Sequence, residues 1–253
     1  MYRYRGEGRT LAAIERNFLN LSDSYERLFG EVYGSFEPNE KRIELLKWQK
    51  GTPPSEAYHI IHALHKTKNV EGDVCEFGVA QGNTSQIIAN EILNIDKILH
   101  LFDSFEGLPA PTEKDELKDD IYDLGSIEAY KGTMSNPERL VLSKLSRLPF
   151  PGSRIRIHKG FIEELIEKKD SGFPTKVSFA YIDFDFYEPI KIALEYLDTV
   201  SAVGAVFVVD DYDFFSTGVE KAVKEFLENR GDRYELFVPE KVHGAFAVLT
   251  KLG

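Results

Sequence analysis

Two stretches in the C-terminal half of the chain share one design, an unbroken apolar run that stops on acid. Val177-Ser178-Phe179-Ala180-Tyr181-Ile182 runs into Asp183-Phe184-Asp185, and Gly204-Ala205-Val206-Phe207-Val208-Val209 runs into Asp210-Asp211. Runs without polar alternation mark parallel strands covered by helices on both faces, and ligands of such sheets sit beyond the strand C-terminal ends. The pattern predicts two strands that deliver four aspartates to one crevice.

Upstream, Asp73-Val74-Cys75-Glu76-Phe77-Gly78-Val79 predicts a first strand and Ala80-Gln81-Gly82-Asn83 a turn. A helix then opens at Thr84-Ser85, with Ile87, Ile88 and Ile92 facing inward. Residues 97–102 predict a second strand, ending at Asp103-Ser104-Phe105-Glu106-Gly107-Leu108-Pro109. Residues 154–158 predict a third, which runs into Gly160-Phe161 and a helix through Leu165-Ile166. Another helix opens at Gly218, and residues 234–238 and 245–249 close the chain as a strand pair. This alternation predicts an α/β fold: a Rossmann-like, doubly wound, mostly parallel sheet of seven strands. No repeat or linker divides it, so 1–253 reads as one domain.

Two parts stand outside the alternation. In the N-terminal helical extension, residues 1–68, Leu11, Ile14, Phe18, Leu21, Tyr25 and Leu28 form one helical stripe. The stripe needs cover, either from its own sheet or, as favoured here, from a second copy in a homodimer. Tyr33, Phe36 and Trp48 are candidate aromatic walls, and Pro53-Pro54-Ser55-Glu56 starts a helix with Tyr58, Ile61 and Leu64 inward. Its His59, His62 and His65 fan around the axis, because each three-residue step falls about 60° short of a turn. The second part, residues 110–150, is a lid-like insertion with Gly125 and Gly132 as pivots, and its acid run at 113–120 reads as a solvated face.

Composition narrows the partners. With 42 acidic against 31 basic residues in 253, the net charge of −11 disfavours nucleic acid and anionic membrane, leaving a small-molecule ligand. No apolar segment is long enough to span a bilayer and the beginning lacks a secretion signal, so a cytoplasmic location is expected. The single cysteine, Cys75, lies in an apolar strand and offers neither a disulfide nor a thiolate site.

Gathered carboxylates repel one another unless a proton or a hard cation neutralises them, and Mg²⁺ with its oxygen ligands and retained waters suits such a set. The competing reading makes these acids solvated loop residues and helix caps. Gly78 and Gly82 do not have the dinucleotide-fold spacing and no P-loop lysine follows, so with Glu76 beside the turn a cationic ligand group is favoured over a pyrophosphate. Asp103, ending the second strand, suits ribose hydroxyls, and Phe161 can stack on an adenine ring.

These motifs resemble the macrocin O-methyltransferase family, the TylF-type enzymes that methylate sugar hydroxyls with S-adenosylmethionine and Mg²⁺. Asp103-Ser104-Phe105-Glu106-Gly107-Leu108-Pro109 looks like the family's motif unchanged. Asp183-Phe184-Asp185-Phe186-Tyr187-Glu188 is similar to its Asp-Gly-Asp-x-Tyr-Glu, with Phe184 in place of glycine, and Val209-Asp210-Asp211-Tyr212 is similar to its Val-Asp-Asp-Tyr. The resemblance implies that Asp183, Asp210 and Asp211 hold the metal and that Asp185 takes the proton from the substrate hydroxyl. It implies cofactor contacts from Glu76, Gly78, Gly82, Thr84, Ser85, Asp103, Ser104, Gly160 and Phe161. The expected acceptor is a nucleotide-sugar or a glycosylated small molecule.

Two rivals remain. A glycosyltransferase that holds a nucleotide-sugar through Mn²⁺ would use Asp183-x-Asp185 but leaves the Glu76-x-Gly78 turn without a task. A non-catalytic S-adenosylmethionine-binding protein would keep the fold without needing every acid. Should Asp185 not be the base, His243 or His158 would be the candidates, although both read better as structural.

Overall fold

The computed structural model describes residues 7–32, 34, 36, 39–168 and 172–253, the side chains of residues 7–9, 11 and 32 excepted. Tyr33 and the side chain of Leu11, named above, lie outside this set. The sheet has seven strands in the order β3-β2-β1-β4-β5-β7-β6. They are β1 Asp73–Phe77, β2 Leu99–Asp103, β3 Ile155–Lys159, β4 Val177–Ile182, β5 Ser201–Val209, β6 Tyr234–Phe237 and β7 Ala247–Lys251. Strands β1 to β5 pair in parallel, and β7 runs antiparallel to both β5 and β6. The predicted mostly parallel α/β sheet is therefore present, and strand order reverses between β1 and β4. A crevice opens at such a switch point.

Eight α-helices are described: α1 Glu7–Arg27, α2 Glu40–Lys47, α3 Pro54–Lys66, α4 Asn83–Glu91, α5 Glu138–Leu145, α6 Ile162–Glu167, α7 Tyr187–Val200 and α8 Gly218–Glu228. Side chains of a strand alternate between faces. Ala180 and Ile182 of β4 accordingly join Ile190 and Leu194 of α7 and Val219 and Val223 of α8. Phe179 and Tyr181 point the other way, to Ile60 and Leu64 of α3, Ile88 of α4 and Val141 of α5. On α8 the positions Val219, Ala222, Val223 and Phe226 are all buried, the three- and four-residue steps of one apolar stripe. Each large side chain so buried contributes about 1.5–3 kcal/mol.

The helical extension docks through a buried ion network as well as through apolar contact. Arg42 on α2 donates to Glu26 on α1 at 2.8 Å and to Glu91 on α4 at 2.7 Å, while Tyr58 of α3 donates to Glu26 and His65 bonds Glu91. Removing one partner of such a set strands a buried charge, so four helices are held in one arrangement. The stripe on α1 is covered only in part. Tyr25 is buried and Phe18 and Leu28 pack beside it, whereas Ile14 and Leu21 stay exposed. Of the expected aromatic walls, Phe36 is buried in this cluster, but Trp48 stands 71% exposed and walls nothing. The three α3 histidines fan as expected, with His65 on Glu91 and His59 and His62 against Phe29.

Residues 110–150 are fastened at several points. Asp115, expected on a solvated face, is instead buried: its Oδ1 accepts the Tyr187 N–H at 2.8 Å and its Oδ2 accepts the N–H and hydroxyl of Thr112. The carboxylate thereby ties the segment to the start of α7. Lys118 N–H bonds the Phe215 carbonyl, Leu117 bridges to Ser216, and Gly107 packs against the backbone of Gly132 and Thr133. No helix among the described residues is long and apolar enough to cross a membrane.

Candidate functional site

Pairing register decides where the acids stand. Phe77 pairs with Ile182 and Ile182 with Val209, so the three strands end level. The ladder continues one step further, with Asp183 N–H on the Phe77 carbonyl at 2.7 Å and Asp210 N–H on the Ile182 carbonyl at 2.9 Å. The residues following these apolar runs are thus presented side by side at the rim of a cavity of about 720 Å³.

Asp183, Asp185 and Asp211 form one group, with a carboxylate oxygen from each lying within 4.8 Å of the others. Asp185 and Asp211 reach it through left-handed backbone, φ +61° and +55°. Aspartate tolerates that region, at about 1 kcal/mol, and such strain persists where the surroundings over-determine it. Phe184, between the two acids, packs edge-on against Phe77 but also lines the cavity, so the bulky residue in the glycine position shapes the site rather than turning away from it. Asp210 stands one step back. Its Oδ2 accepts the Tyr181 hydroxyl at 2.5 Å and its Oδ1 the Asp211 N–H at 2.8 Å, so its other lone pairs alone are open to a cation.

Burial, followed by the charge of Asp183, pushes Asp185 up to about 8. Burial and then neighbouring carboxylates hold Asp183, Asp211 and Glu56 well above the usual carboxylate range. A divalent cation would relieve these groups together, and the all-oxygen donor set fits Mg²⁺.

The second half of the cavity adjoins β1. Gly78 has φ +83°, and a Cβ there would stand 2.8 Å from the Asp183 carbonyl carbon and closer still to its oxygen. Its bareness serves the close approach of the β1 and β4 ends. The following turn is braced by Asp103, whose Oδ2 accepts the N–H groups of Val79 at 2.7 Å and Ala80 at 2.9 Å while Oδ1 accepts that of Phe105. Oδ1, with one lone pair taken, keeps acceptor capacity for a ribose hydroxyl. Glu76 lines the cavity, burial pushes it up to about 8, and its Oε2 is cut off from solvent without a donor. A buried acceptor in that state calls for a cationic or N–H donor, which the ammonium end of an amino-acid cofactor supplies.

Of the other expected cofactor residues, Thr84, Ser104, Gly160 and Phe161 line the cavity, whereas Gly82 and Ser85 do not. Gly82 caps α4 with left-handed backbone, φ +73°, and packs under Val141, while Ser85 lies fully buried. His158 is stacked on Phe102 and bonded to His100, and His243 meets Tyr25, so both have structural partners. Sequence patterning missed Glu56, which opens α3 and lies against Asp210, and Tyr181, whose hydroxyl reaches Asp210 and Thr52. An acid in a helix's first turn and a tyrosine inside an apolar run carry no signal of such partners.

A switch-point crevice that holds an acid-braced glycine turn beside a group of acids is consistent with an S-adenosylmethionine-dependent O-methyltransferase, and the comparison with known families makes that class plain. The family model described as macrocin-O-methyltransferase (TylF) matches residues 58–238, and the chain belongs to that family. Solved structures agree on the fold. The O-methyltransferase NovP shares 16% identity and a TM-score of 0.66 over 93% of this chain and 100% of its own. The calicheamicin methyltransferase CalS11 shares 18% and 0.63 over 99% and 94%. TomG from Streptomyces achromogenes, an O-methyltransferase of tomaymycin synthesis solved with S-adenosylmethionine, shares 14% and 0.54 over 91% and 96%. No curated protein sequence matches the chain.

Proposed function

We propose that the protein methylates a sugar hydroxyl of a nucleotide-sugar or glycosylated small molecule, with Mg²⁺ at the acid group. The observation that carries the reading is the group Asp183, Asp185 and Asp211, which shares one cavity with the Glu76 and Asp103 side chains. In this reading Asp183, Asp210 and Asp211 hold the cation, Asp210 through the lone pairs that Tyr181 and Asp211 N–H leave open. The cation, when bound, supplies the Lewis acidity that brings a sugar hydroxyl within reach of a carboxylate base. Asp185 takes the proton. Its place in the acid group, within 4.8 Å of Asp183 and Asp211, supports that role. Glu76 and Asp103 orient the methyl donor from its charged end and ribose, Gly160 and Phe161 flank its adenine, and the strand ends keep donor and acceptor in one cavity.

Calorimetry tests the reading. S-adenosylmethionine is expected to bind without metal, and Asp185→Asn to retain cofactor and Mg²⁺ binding while losing about 10²–10⁴ in kcat, the share general-base catalysis supplies. Near-normal turnover in that variant would move the base elsewhere, and a chain that bound UDP-sugar but no S-adenosylmethionine would defeat the assignment. We also infer a cytoplasmic protein and, from the exposed Ile14, Leu19 and Leu21 of α1, a homodimer. A monomer mass by light scattering would remove that part.

A further inference from the structure

One buried acid has no task in this scheme. Glu56 sits in the first turn of α3, 1% exposed, on the helical side of the acid group rather than at a strand tip. Its carboxyl lies against that of Asp210, with Asp183 and Asp211 close enough to act on it electrostatically. Glu56 Oε1 is shut off from solvent and meets no hydrogen-bond donor. The turn at Gly244 closes over the other oxygen: a Cβ there would stand 3.0 Å from Oε2, and φ is +133°. A carboxylate oxygen enclosed in this way is costly unless a cation answers it.

Glu76 and Ser85 also carry orphaned buried atoms, but they adjoin the cofactor turn, whereas Glu56 lies beside Asp210, which follows β5. Tyr181, the hydroxyl donor nearest the group, is already engaged with Asp210. A donor for Oε1 is therefore missing from the protein's own described side chains, and a divalent cation taken up by the neighbouring acids would supply the positive charge that the shared proton of Glu56 and Asp210 leaves unmet.

We propose that Glu56 is a further carboxylate of the cation centre, presented from α3 beside Asp210, so that the ion is held by the helical layer as well as by the sheet. The proposal rests on the reading of the acid group as a cation site. It carries a structural consequence, because α3 also packs Tyr58 and Ile61 against α1. Loading the ion then tightens the helical extension onto the sheet.

The test uses Mn²⁺ alone, without cofactor or acceptor, followed by paramagnetic resonance and calorimetry on the wild type and Glu56→Gln. Glutamine keeps the size and can still hydrogen-bond Asp210. The expected result is a Mn²⁺ affinity weaker by about 10- to 100-fold or more, since even the loss of an outer-shell partner of a metal ligand costs that much, with S-adenosylmethionine affinity within twofold of wild type. Metal-free Glu56→Gln is expected to melt above the metal-free wild type, since one buried acid has gone, and to gain less from added Mn²⁺. Mn²⁺ affinity within threefold of wild type would overturn the proposal while leaving the site itself intact. A wild type that binds no Mn²⁺ would remove the cation reading and this proposal with it. Should Glu56→Gln not fold, Glu56→Asp, which keeps the charge but withdraws it by one methylene, is expected to weaken Mn²⁺ measurably, and parity there would likewise overturn the claim.

Discussion

Gly78→Ala isolates the contact that brings the two halves of the site together. Gly78 and Gly125 have nearly the same backbone, φ +83° and +82°, but a Cβ at Gly125 would meet nothing within 4 Å. Alanine at Gly125 therefore carries backbone strain alone, about 1 kcal/mol. At Gly78 the same strain is joined by overlap with the Asp183 carbonyl, and Phe184 Cδ1 stands only 3.4 Å off on the same side. Ordinary contact can be restored only by withdrawing the tip of β4. That movement stretches or breaks the bond from Asp183 N–H to the Phe77 carbonyl, 2.7 Å in the native chain, for about 1–2 kcal/mol more.

The sum for Gly78→Ala is about 2–3 kcal/mol, which for a chain of this size lowers Tm by roughly 4–12 °C, against roughly 2–4 °C for Gly125→Ala. Function is expected to suffer more than stability. Asp183 belongs to the acid group, and a displacement of about 1 Å in such a constellation costs about 10² in rate. Differential scanning fluorimetry, Mn²⁺ titration and kcat on both variants make the comparison. If Gly78→Ala melts with Gly125→Ala and holds Mn²⁺ as the wild type does, the close approach is not what this glycine serves.

Two further outcomes follow from named groups. Glu76 and Asp185 are pushed up to about 8, so between pH 4 and 8 the folded chain keeps protons that the unfolded chain has released, and the stability they contribute is lost as pH rises through about 8. His59 and His62, held below the usual histidine value of 6.5, act in the opposite sense but only below that pH, so the clean window is pH 6.5 to 8. Across it the Tm of metal- and cofactor-free protein is expected to fall, at about 1.4 kcal/mol per pH unit for each proton held, and Mg²⁺ to flatten the slope; a Tm that rises would refute the electrostatic account of the site. Asp115→Ala leaves the Tyr187 and Thr112 donors without their acceptor and is expected to cost about 2–4 kcal/mol. It should also raise cleavage by protease within residues 110–120 and the acceptor KM, with S-adenosylmethionine affinity unchanged; an unaltered cleavage pattern would show that Asp115 does not fasten the segment.

What the sequence discloses about this site, and what it conceals, follows from the reach of pattern. An apolar run that stops on acid records a strand end and its direction, so Asp183, Asp185, Asp210 and Asp211 were legible before any coordinates, as was the glycine turn beside Glu76. The same periodicity records that a face is covered but not by what. Glu56 presents itself as an acid suited to a helix N-terminus, Tyr181 as one more large residue in a buried strand, and Asp115 as part of a charge run. Each is defined instead by a partner far along the chain: Asp210, Asp210 again, and Tyr187. The α1 stripe shows the converse, since its spacing is sound along the helix but only the end near Tyr25 finds a surface. The concealed residues are still constrained by those that can be read. Acids crowded at strand tips, two of them on left-handed backbone, form an arrangement that local propensity would not choose, and such violations concentrate where function demands them. A cluster that costs stability in this way has to be answered by protons, by a cation from solution or by donors of the chain; the Tyr181 hydroxyl on Asp210 is one such donor, whereas Glu56 adds to the demand.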